Sequence, residues 1–531
     1  MVTLEDRRIR MRKQFIYSNV WAQHPQFTDL VKAGWEVQVE GCKMFKIVRK
    51  LKMLKKALKK LNADHFSNIV TEANMDRVTL KEVRERLQRD PTNRELQLEE
   101  ANMYAKFRKS SYMVEVYLQQ KSKATWLRLG DENTKYFHSV IKHKRLQQTT
   151  TQLKDEQGIW QNDPTVIANM LVDCYTDLLG TRGNSSIATR ALGQMDMEVV
   201  SLKLHGLFGE EVTEAILEFF ENGRLLKQLN ATIIALIPKV DSPEFASQYR
   251  PISCCNVLYK CIFKMICSRL KTAVAHLVAE NQAAFVQGRS MVHNVLICHD
   301  LLRHYNMRTS PRCLMKIDLR KAYDMVEWPF PEDAMRGFGF LNKFINWMMT
   351  CVTITMYSVK VNGESHGFFE GKRGFRQGDP ASPLLFILVM EYLSRTLKTM
   401  SVLPNFRFHP MCKGLKLTHL IFGDDLMIFC KGQVKSVSRV LEALQHFSEA
   451  SGLIANMDKS SIFLVGVTEE VKEQLLERTG FTMGEFPIRY LGLPLSSRKW
   501  SKLECHHLID KITNRIKLTY TNNSPMLRDY R

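Results

Sequence analysis

The sequence predicts an α+β fold preceded by a mostly helical, basic N-terminal region. Residues 1 to about 145 are rich in Lys, Arg, Glu and Gln and poor in Gly, a composition typical of long helices. From residue 231 onward, short apolar runs bounded by Gly, Asp and Pro alternate with amphipathic stretches, which indicates strands mixed with helices. The chain has 531 residues, 45% of them hydrophobic, so it can bury a large core divided among several domains.

The charge balance points to a polyanionic partner. The formal net charge is +21 at pH 7, and nucleic acid is the simplest partner for so basic a chain. No apolar run reaches the roughly 20 residues that a membrane-spanning helix requires, and the N-terminus lacks the apolar core of a secretory signal. The twelve cysteines are scattered without CxxC pairs, which favours reduced thiols in an intracellular protein.

The N-terminal region carries a heptad-like apolar stripe on a basic helix. The stripe is Ile47, Leu51, Leu54, Leu58 and Leu61, and the other faces carry Lys50, Lys52, Lys55, Lys56, Lys59 and Lys60. These lysines form either a solvated surface or a track along template or primer phosphates. Pro91 separates a second helix from a third, which we expect over about 94–129.

Aromatic residues follow the third helix, and a linker comes after them. Trp126, Tyr136 and Phe137 are interleaved with basic residues, a pattern that suits stacking on nucleic acid as well as ordinary core positions. The run LGTRGNSSIATRALGQ at 179–194 is rich in Gly, Ser, Thr and Asn. We therefore divide this part of the chain into a basic helical region, 1–180, and a linker, 181–206.

Two adjacent carboxylates lie between two apolar runs in THLIFGDDLMIFC, residues 418–430. Gly423 and the acidic pair Asp424 and Asp425 predict a β-hairpin with the carboxylates at its turn. An ordinary Gly-Asp turn is the alternative interpretation. Adjacent carboxylates repel one another, however, and a bound cation would relieve that repulsion.

A second acidic stretch favours the functional interpretation. In CLMKIDLRKAYDMVEW, residues 313–328, an apolar strand ends at Asp318 and a helix follows. A strand ending in a carboxylate beside a hairpin with two more is an arrangement that holds a pair of Mg²⁺ ions. Two such ions activate an attacking 3′-hydroxyl and neutralise a leaving pyrophosphate, which is the chemistry of nucleotidyl transfer.

Between the acidic stretches lies KRGFRQGDPASPLLFILVMEYLSR, residues 372–395. Gly374, Gly378 and Pro380 predict a loop, and the apolar period from Leu384 to Leu393 predicts a buried helix after it. With this loop, the ordered motifs IDLRKAYD, RGFRQGDPASPLLF and FGDD resemble the reverse transcriptases of plant LINE-type (non-LTR) retrotransposons. The resemblance extends through LIPKVDSPEFASQYRPIS and NQAAFVQGR before them, and through GLIANMDKS and RYLGLPL after them.

This resemblance implies a right-hand polymerase from a truncated second reading frame. Fingers and palm would occupy 207–489, and a primer-grip hairpin with a reduced thumb would occupy 490–531. The family's usual Gly-Pro-Asp-Gly turn is absent from the fingers segment, and the chain offers the thumb only one basic helix, at about 502–517. Both departures lead us to expect weak grip on nucleotide and duplex.

The resemblance also implies a role for individual residues. The catalytic and metal-binding carboxylates would be Asp318, Asp424 and Asp425. The nucleotide-binding residues would be Lys239, Arg250, Tyr323, Gln377, Gly378 and Lys459, with the Tyr323 ring excluding a 2′-hydroxyl and Lys459 carried on a strand after the hairpin. The template- or primer-binding residues would be Gly288, Arg289, Tyr490 and Gly492. Asp324, six residues after Asp318, is expected to be structural.

The expected function is that of an RNA-directed DNA polymerase. Its cofactors would be two Mg²⁺ ions, for which Mn²⁺ substitutes, and its partners an RNA template, a DNA primer and deoxynucleoside triphosphates, with no membrane. Nuclear residence would suit such an element. A catalytically decayed remnant that only binds nucleic acid is the first alternative. An RNA-dependent RNA polymerase is the second, because Gly-Asp-Asp also marks that class, although Tyr323 and RQGDPASPLLF argue against it.

Overall fold

The computed structural model describes residues 15, 17–122, 149–182, 209–302, 305, 310–495, 509 and 513. Four helices open this part of the chain: α1 Phe27–Trp35, α2 Lys43–His65, α3 Ile69–Arg89 and α4 Arg94–Ser122. The break between α3 and α4 falls at Pro91, as predicted, because proline cannot continue the hydrogen-bond ladder of a helix. Trp126, Tyr136, Phe137 and the end of the predicted third helix lie outside the described residues.

The buried stripe of α2 differs from the predicted one at one position. Ile47, Leu54, Leu58 and Leu61 are buried, but Leu51 is 46% exposed. Lys50 is buried in its place, and its Nζ lies 2.7 Å from a carboxylate oxygen of Glu211. The hydrophobic pattern could not reveal this, because the partner carboxylate lies 161 residues further along the chain.

One four-stranded sheet supports the fingers. Its strands are β3 Ala231–Pro238, β4 Tyr249–Cys254, β6 Met356–Val361 and β7 Glu364–Glu370, in the spatial order β4-β3-β6-β7. The predicted hairpin of β3 and β4 is confirmed, with Ile237 opposite Arg250. Strand β3 pairs on its other side with β6 in the parallel direction.

A helix from before the linker packs on this sheet. A small hairpin, β1 Leu153–Lys154 and β2 Trp160–Gln161, precedes α5 Pro164–Gly180. Asp163 caps α5 by accepting from two backbone amides, and Pro164 occupies the first turn. Buried residues of α5, including Leu171 and Tyr175, share a core cluster with Ile234 and Tyr357 of the sheet. The domain boundaries at 180 and 207 remain predictions, but residues 164–180 pack against the fingers.

The second sheet is the palm. It contains β5 Arg312–Asp318, β8 His419–Phe422, β9 Asp425–Lys431, β10 Ser461–Val465 and β11 Thr482–Met483, in the order β11-β10-β5-β9-β8. Strand β5 lies at the centre and pairs antiparallel with β9 and β10. Its apolar residues are almost fully buried, as the run CLMKI predicted.

Helices cover the two sheets. They are α6 Gly209–Asn222, α7 Lys227–Asn230, α8 Val257–Leu277, α9 Met291–Leu302, α10 Ala322–Met325, α11 Pro329–Gly337, α12 Asn342–Thr353, α13 Ser382–Met400, α14 Val434–Ser451 and α15 Glu469–Thr479. As predicted, α13 is buried along most of its length. Helix α14 ends where Gly452 adopts a left-handed conformation. None of the helices described is long and apolar enough to cross a membrane.

The last described element is the hairpin predicted as a primer grip. It consists of β12 Ile488–Tyr490 and β13 Leu493–Leu495, joined by Leu491 and Gly492. Both turn residues have positive φ, as a two-residue hairpin turn requires. The Lys316 side chain of β5 donates to the backbone carbonyl of Arg489 (2.7 Å), which joins this hairpin to the palm. Residues 183–206 of the predicted linker and nearly all of the helix predicted at 502–517 lie outside the described residues.

Candidate active site

Asp318 and Asp424 lie at the ends of palm strands and line the same cavity. Asp318 is the last residue of β5, and its Cα pairs in register with that of Asp425, the first residue of β9. Asp424 sits in the turn just before Asp425, after Gly423 with φ +67°. Antiparallel pairing thus brings together two motifs about a hundred residues apart in the sequence.

Hydrogen bonds fix the backbone and side chain of Asp318. Its backbone N–H donates to the Ser460 hydroxyl (3.2 Å), and its carbonyl accepts from the Asn456 N–H (2.7 Å). The Asn456 side-chain amide lies 3.4 Å from one carboxylate oxygen. The other oxygen therefore remains available to a ligand in the cavity.

The protein environment disfavours the charged forms of the two hairpin carboxylates, Asp424 and Asp425. The surrounding protein raises the pKa of Asp424 by desolvation, and the nearby negative charge of Asp318 raises it further. Desolvation, followed by the charge of Asp424, also raises the pKa of Asp425. A bound cation would lower both pKa values by stabilising the charged forms.

The cavity has a volume of about 420 Å³ and collects most of the predicted nucleotide-binding residues. Seven predicted site residues line it: Asp318, Asp424, Lys239, Arg250, Tyr323, Gln377 and Lys459. Lys459 lies in the turn that precedes β10, not on the strand as expected. The sequence motifs therefore converge on one polar cavity between fingers and palm.

Cations outnumber carboxylates in this cavity. The basic residues are Lys239, Arg250, Arg320, Lys321 and Lys459, and the acidic residues are Asp318, Asp324 and Asp424. Desolvation, followed by the neighbouring positive charge of Lys321, lowers the pKa of Lys239. Such a group of cations is suited to a polyanion such as a triphosphate, which would relieve their mutual repulsion.

Sequence reasoning missed Arg320 and Lys321, although both lie inside the motif IDLRKAYD. Lys321 has φ +45°, a left-handed conformation that is uncommon for lysine, and it immediately precedes α10. The nearest sequence signal was the basic pair itself after Asp318. A hydrophobic period does not encode backbone conformation, so it could not reveal that this pair lines the cavity.

The predicted nucleotide loop is tied to α10, the short helix that follows Asp318. The Phe375 N–H donates to the Tyr323 carbonyl (2.6 Å), and the Gly374 N–H donates to the Val326 carbonyl (2.7 Å). The Gln377 side-chain amide donates to both carboxylate oxygens of Asp324, at 2.9 and 3.0 Å. Asp324 is 5% exposed, and its burial raises its pKa to about 6. These contacts are consistent with the expected structural role of Asp324.

Tyr323 is positioned by packing. Its ring stacks on Phe386 of α13 with centroids 4.6 Å apart, and it borders the cavity beside Asp424. Gln377 is held from the other side as well, because its carbonyl accepts from the Ser253 N–H of β4 (2.7 Å). Gly378, with φ +93°, lies against Ile252 and Ser253 and does not line the cavity.

Within the loop, Arg376 forms the centre of a buried network that the motifs did not predict. Arg376 donates to Asn230 (2.7 Å), to the Cys351 carbonyl (2.7 Å) and to the Tyr259 hydroxyl. It also forms an ion pair with Asp379 at 3.2 Å. This part of RQGD therefore joins α7, α8 and α12, and Arg376 does not line the cavity.

At two predicted nucleic-acid contacts, the side chain is engaged by the protein itself. The Arg289 guanidinium donates to the carbonyls of Val278, Ala279 and Gln282, so it braces the end of α8 and is not free for phosphate. Tyr490 is 1% exposed and packs in a core cluster, where no primer can reach its ring. The two glycines fit their assignments better, since a Cβ added at Gly288 or Gly492 would meet nothing within 4 Å.

The carboxylates fit Mg²⁺ bound together with a substrate. Among the residues described, no group of three or more His, Cys, Asp or Glu side chains could hold a metal ion by itself. Mg²⁺ is commonly held by one or two carboxylates plus substrate phosphates, and Asp318 and Asp424 supply two carboxylates beside a cavity rich in cations. Asp425 does not line this cavity.

Comparison with known proteins identifies this part of the chain. Residues 237–495 match the family model of reverse transcriptase (RNA-dependent DNA polymerase). The transposon TX1 uncharacterized 149 kDa protein of Xenopus laevis is 26% identical over 298 residues, covering 55% of this chain and 22% of that protein. The retrovirus-related Pol polyprotein from type-2 retrotransposable element R2DM of Drosophila melanogaster is 27% identical over 287 residues, covering 51% and 26%.

The remaining similarities are shorter or weaker. An uncharacterized mitochondrial protein of Arabidopsis thaliana is 41% identical over 68 residues, which are 12% of this chain and 54% of that protein. A solved telomerase structure from Candida tropicalis is 12% identical, with a TM-score of 0.37, and covers 56% of this chain and 50% of that one. The match spans about a quarter of the length of the TX1 and R2DM proteins. Residues 237–495 thus match the reverse transcriptase family, and the TX1 and R2DM proteins, which this chain resembles, belong to a transposon and a retrotransposable element.

Proposed function

We propose that the chain is an RNA-directed DNA polymerase that adds deoxynucleotides to the 3′-end of a primer. One observation carries the proposal: Asp318 and Asp424 line the same cavity as five basic side chains. The carboxylates of that cavity would bind metal ions at the reacting phosphate of a nucleoside triphosphate, and its basic side chains would bind the other phosphates. An RNA template, a DNA primer and deoxynucleoside triphosphates are the corresponding partners.

Each group of residues has its own task in this reaction. Asp318 and Asp424 would hold two Mg²⁺ ions, which supply activation of the primer hydroxyl and neutralisation of the leaving group. Lys239 and Arg250 extend from the β3–β4 hairpin over the cavity and would bind the β- and γ-phosphates. Arg320 and Lys321 add positive charge from the palm side.

Tyr323 is the candidate for sugar selection. Its ring is fixed against Phe386 and lies beside the carboxylate that would bind metal. A rigid ring under the sugar leaves no space for a 2′-hydroxyl, which would favour deoxynucleotides. Gln377, anchored by Asp324 and Ser253, would pack against the same nucleotide.

The non-LTR type of the domain and the Arabidopsis similarity support an origin in a plant LINE-type element. The Arabidopsis match covers only 12% of the chain, so the assignment to plants rests mainly on the motif resemblance.

Primer extension tests the proposed activity. Purified protein is incubated with a primed RNA template, deoxynucleotides and Mg²⁺ or Mn²⁺, next to the Asp318→Ala variant. We expect extension by the wild-type chain and none by the variant. If neither protein extends the primer although both bind it, the polymerase proposal fails and the chain is a remnant that binds nucleic acid only.

A further inference from the structure

The loop between α8 and α9 is attached to the catalytic turn. Strand β8 leads into that turn, and its Ile421 exchanges backbone hydrogen bonds with the loop: it donates to Asn281 (2.9 Å) and accepts from Ala283 (3.2 Å). The Gln282 side-chain carbonyl accepts from the Gly423 N–H (3.3 Å) and from the Ala284 N–H (3.0 Å). The loop and the turn before Asp424 therefore form one hydrogen-bonded unit.

The far end of the loop is braced by Arg289. Its guanidinium, which donates to the carbonyls of Val278, Ala279 and Gln282, closes the loop back onto the end of α8. The loop is thus tied at both ends. A side chain projecting from its middle has a fixed position relative to Asp424.

Phe285 is the residue that projects from this braced loop. Its side chain is 58% exposed, and its backbone has φ +55°. A left-handed conformation is strained for a bulky residue, and exposure of a phenyl ring adds a second unfavourable feature. Backbone strain of this kind persists where the surrounding structure enforces it, and it clusters at functional sites.

The hairpin turns explain other positive φ angles but not this one. Asn362 and Leu491 each open a two-residue turn that closes with glycine, where positive φ is required. Phe285 joins no such hairpin. Its ring lies beside the catalytic turn, because a Cβ built on Gly423 would be 3.9 Å from Phe285 Cε2.

We propose that Phe285 stacks on a nucleobase of the primer–template bound at the active centre, and that Arg289 serves only to brace the loop. This inference rests on the proposed function, since it requires nucleic acid to reach Asp424. The ligand chemistry is the flat face of a base, which every base offers, and aromatic side chains bind it in a sequence-tolerant way. The base belongs either to the primer end or to the template beside it.

Fluorescence of 2-aminopurine, which responds to stacking, tests this without any chemistry. The probe is placed in turn at the primer 3′-end and at the template positions next to it, and the duplex is titrated with protein lacking nucleotide and metal. We expect protein-dependent quenching at one of these positions. We expect Phe285→Asn to abolish that quenching and weaken duplex binding about tenfold, and Phe285→Trp to retain both. The position of the quenched probe distinguishes primer from template.

Controls separate stacking from a structural role. Phe368 is 71% exposed on β7, so Phe368→Asn matches the chemical change away from the turn and should leave quenching intact. Asn tolerates positive φ, so Phe285→Asn should unfold at the same temperature as the wild type or higher, whereas a packing role predicts a lower temperature. Equal quenching by wild type and Phe285→Asn at every position overturns the proposal. Quenching without primer extension would instead overturn only the polymerase proposal.

Discussion

Asp318 and Asp425 face each other across β5 and β9 as the last residue pair of their ladder. This register places the preceding residue, Asp424, in the turn beyond the ladder, where it lines the cavity with Asp318. The two adjacent hairpin carboxylates are therefore not equivalent. One borders the cavity, and the other lies within the sheet.

This difference predicts unequal effects of removing the two charges. Asp318→Asn and Asp424→Asn should each reduce primer extension by at least about a hundredfold, because loss of metal-based charge stabilisation costs several kcal/mol. Asp425→Asn should reduce it by less than about tenfold. Single-nucleotide incorporation rates check this. Equal loss in all three variants would contradict the assignment of Asp425 outside the cavity.

Lys321 should contribute to triphosphate affinity. Replacing it with glycine retains access to φ +45° and removes only the charged side chain. We expect the KM for deoxynucleotides to rise about tenfold, the effect of losing roughly one charge-assisted contact. Lys416→Gly is the matched control, because Lys416 is another exposed lysine with positive φ (50°), and it does not line the cavity. A similar rise in KM for both variants would exclude a specific role for Lys321.

Because the Asp324 carboxyl is buried, we expect the stability of the protein to depend on pH. Its pKa rises from 3.8 to about 6 on folding, so between these values the folded state binds more protons than the unfolded state. The free energy of unfolding should therefore fall as pH rises from about 4 to 6. Urea unfolding should show this fall, of roughly 2 to 3 kcal/mol across the window, in the wild type. The Asp324→Asn variant should lack it, because its amide does not titrate. Parallel pH profiles would contradict the burial of a charged Asp324.

Asp324→Asn should also separate stability from nucleotide binding. The variant keeps only one carbonyl acceptor for the Gln377 amide, where the carboxylate offers two. We expect a severalfold higher KM for deoxynucleotides at pH 7, together with a higher unfolding temperature. A lower unfolding temperature with an unchanged KM would show that the carboxylate serves packing alone.

Gly374 is required by close packing of the nucleotide loop on α10. A Cβ at this position would lie 2.5 Å from the Asp324 carbonyl oxygen, in a backbone with φ +80°. Gly374→Ala should therefore destabilise the protein by about 2 kcal/mol or more, through both the clash and the backbone strain. Gly363→Ala provides the comparison, because Gly363 has φ +95° and nothing within 4 Å. Chemical unfolding of both variants isolates the clash, and equal losses would exclude it.

The sequence predicted the palm well because its signals are local. The apolar run before Asp318 and the two runs around Gly423 encode β5, β8 and β9 directly. The motif resemblance then supplied seven of the residues that line the cavity. Each of these conclusions depends on a few consecutive residues or on a fixed order of motifs.

Contacts between distant segments could not be predicted from the sequence. Arg289 was predicted to contact template or primer, but its guanidinium donates to three backbone carbonyls that follow α8; Tyr490 had the same predicted role, and it packs with α9 and the palm. Lys50 was expected either on a solvated surface or along nucleic-acid phosphates, because its partner Glu211 is far away in sequence. A period of hydrophobicity tells which face is buried, but not which polar partner that face will meet.

The central position of β5 has a consequence for synthesis of the chain. Its neighbours in the sheet, β9 and β10, are complete only after roughly 110 to 150 further residues have been translated, which takes on the order of 5 to 30 s. During that interval the apolar strand ending at Asp318 has both edges open and is prone to pair with other strands. Asp318, the proposed metal ligand, is therefore translated early but paired late, so we expect nascent chains at this stage to bind chaperones.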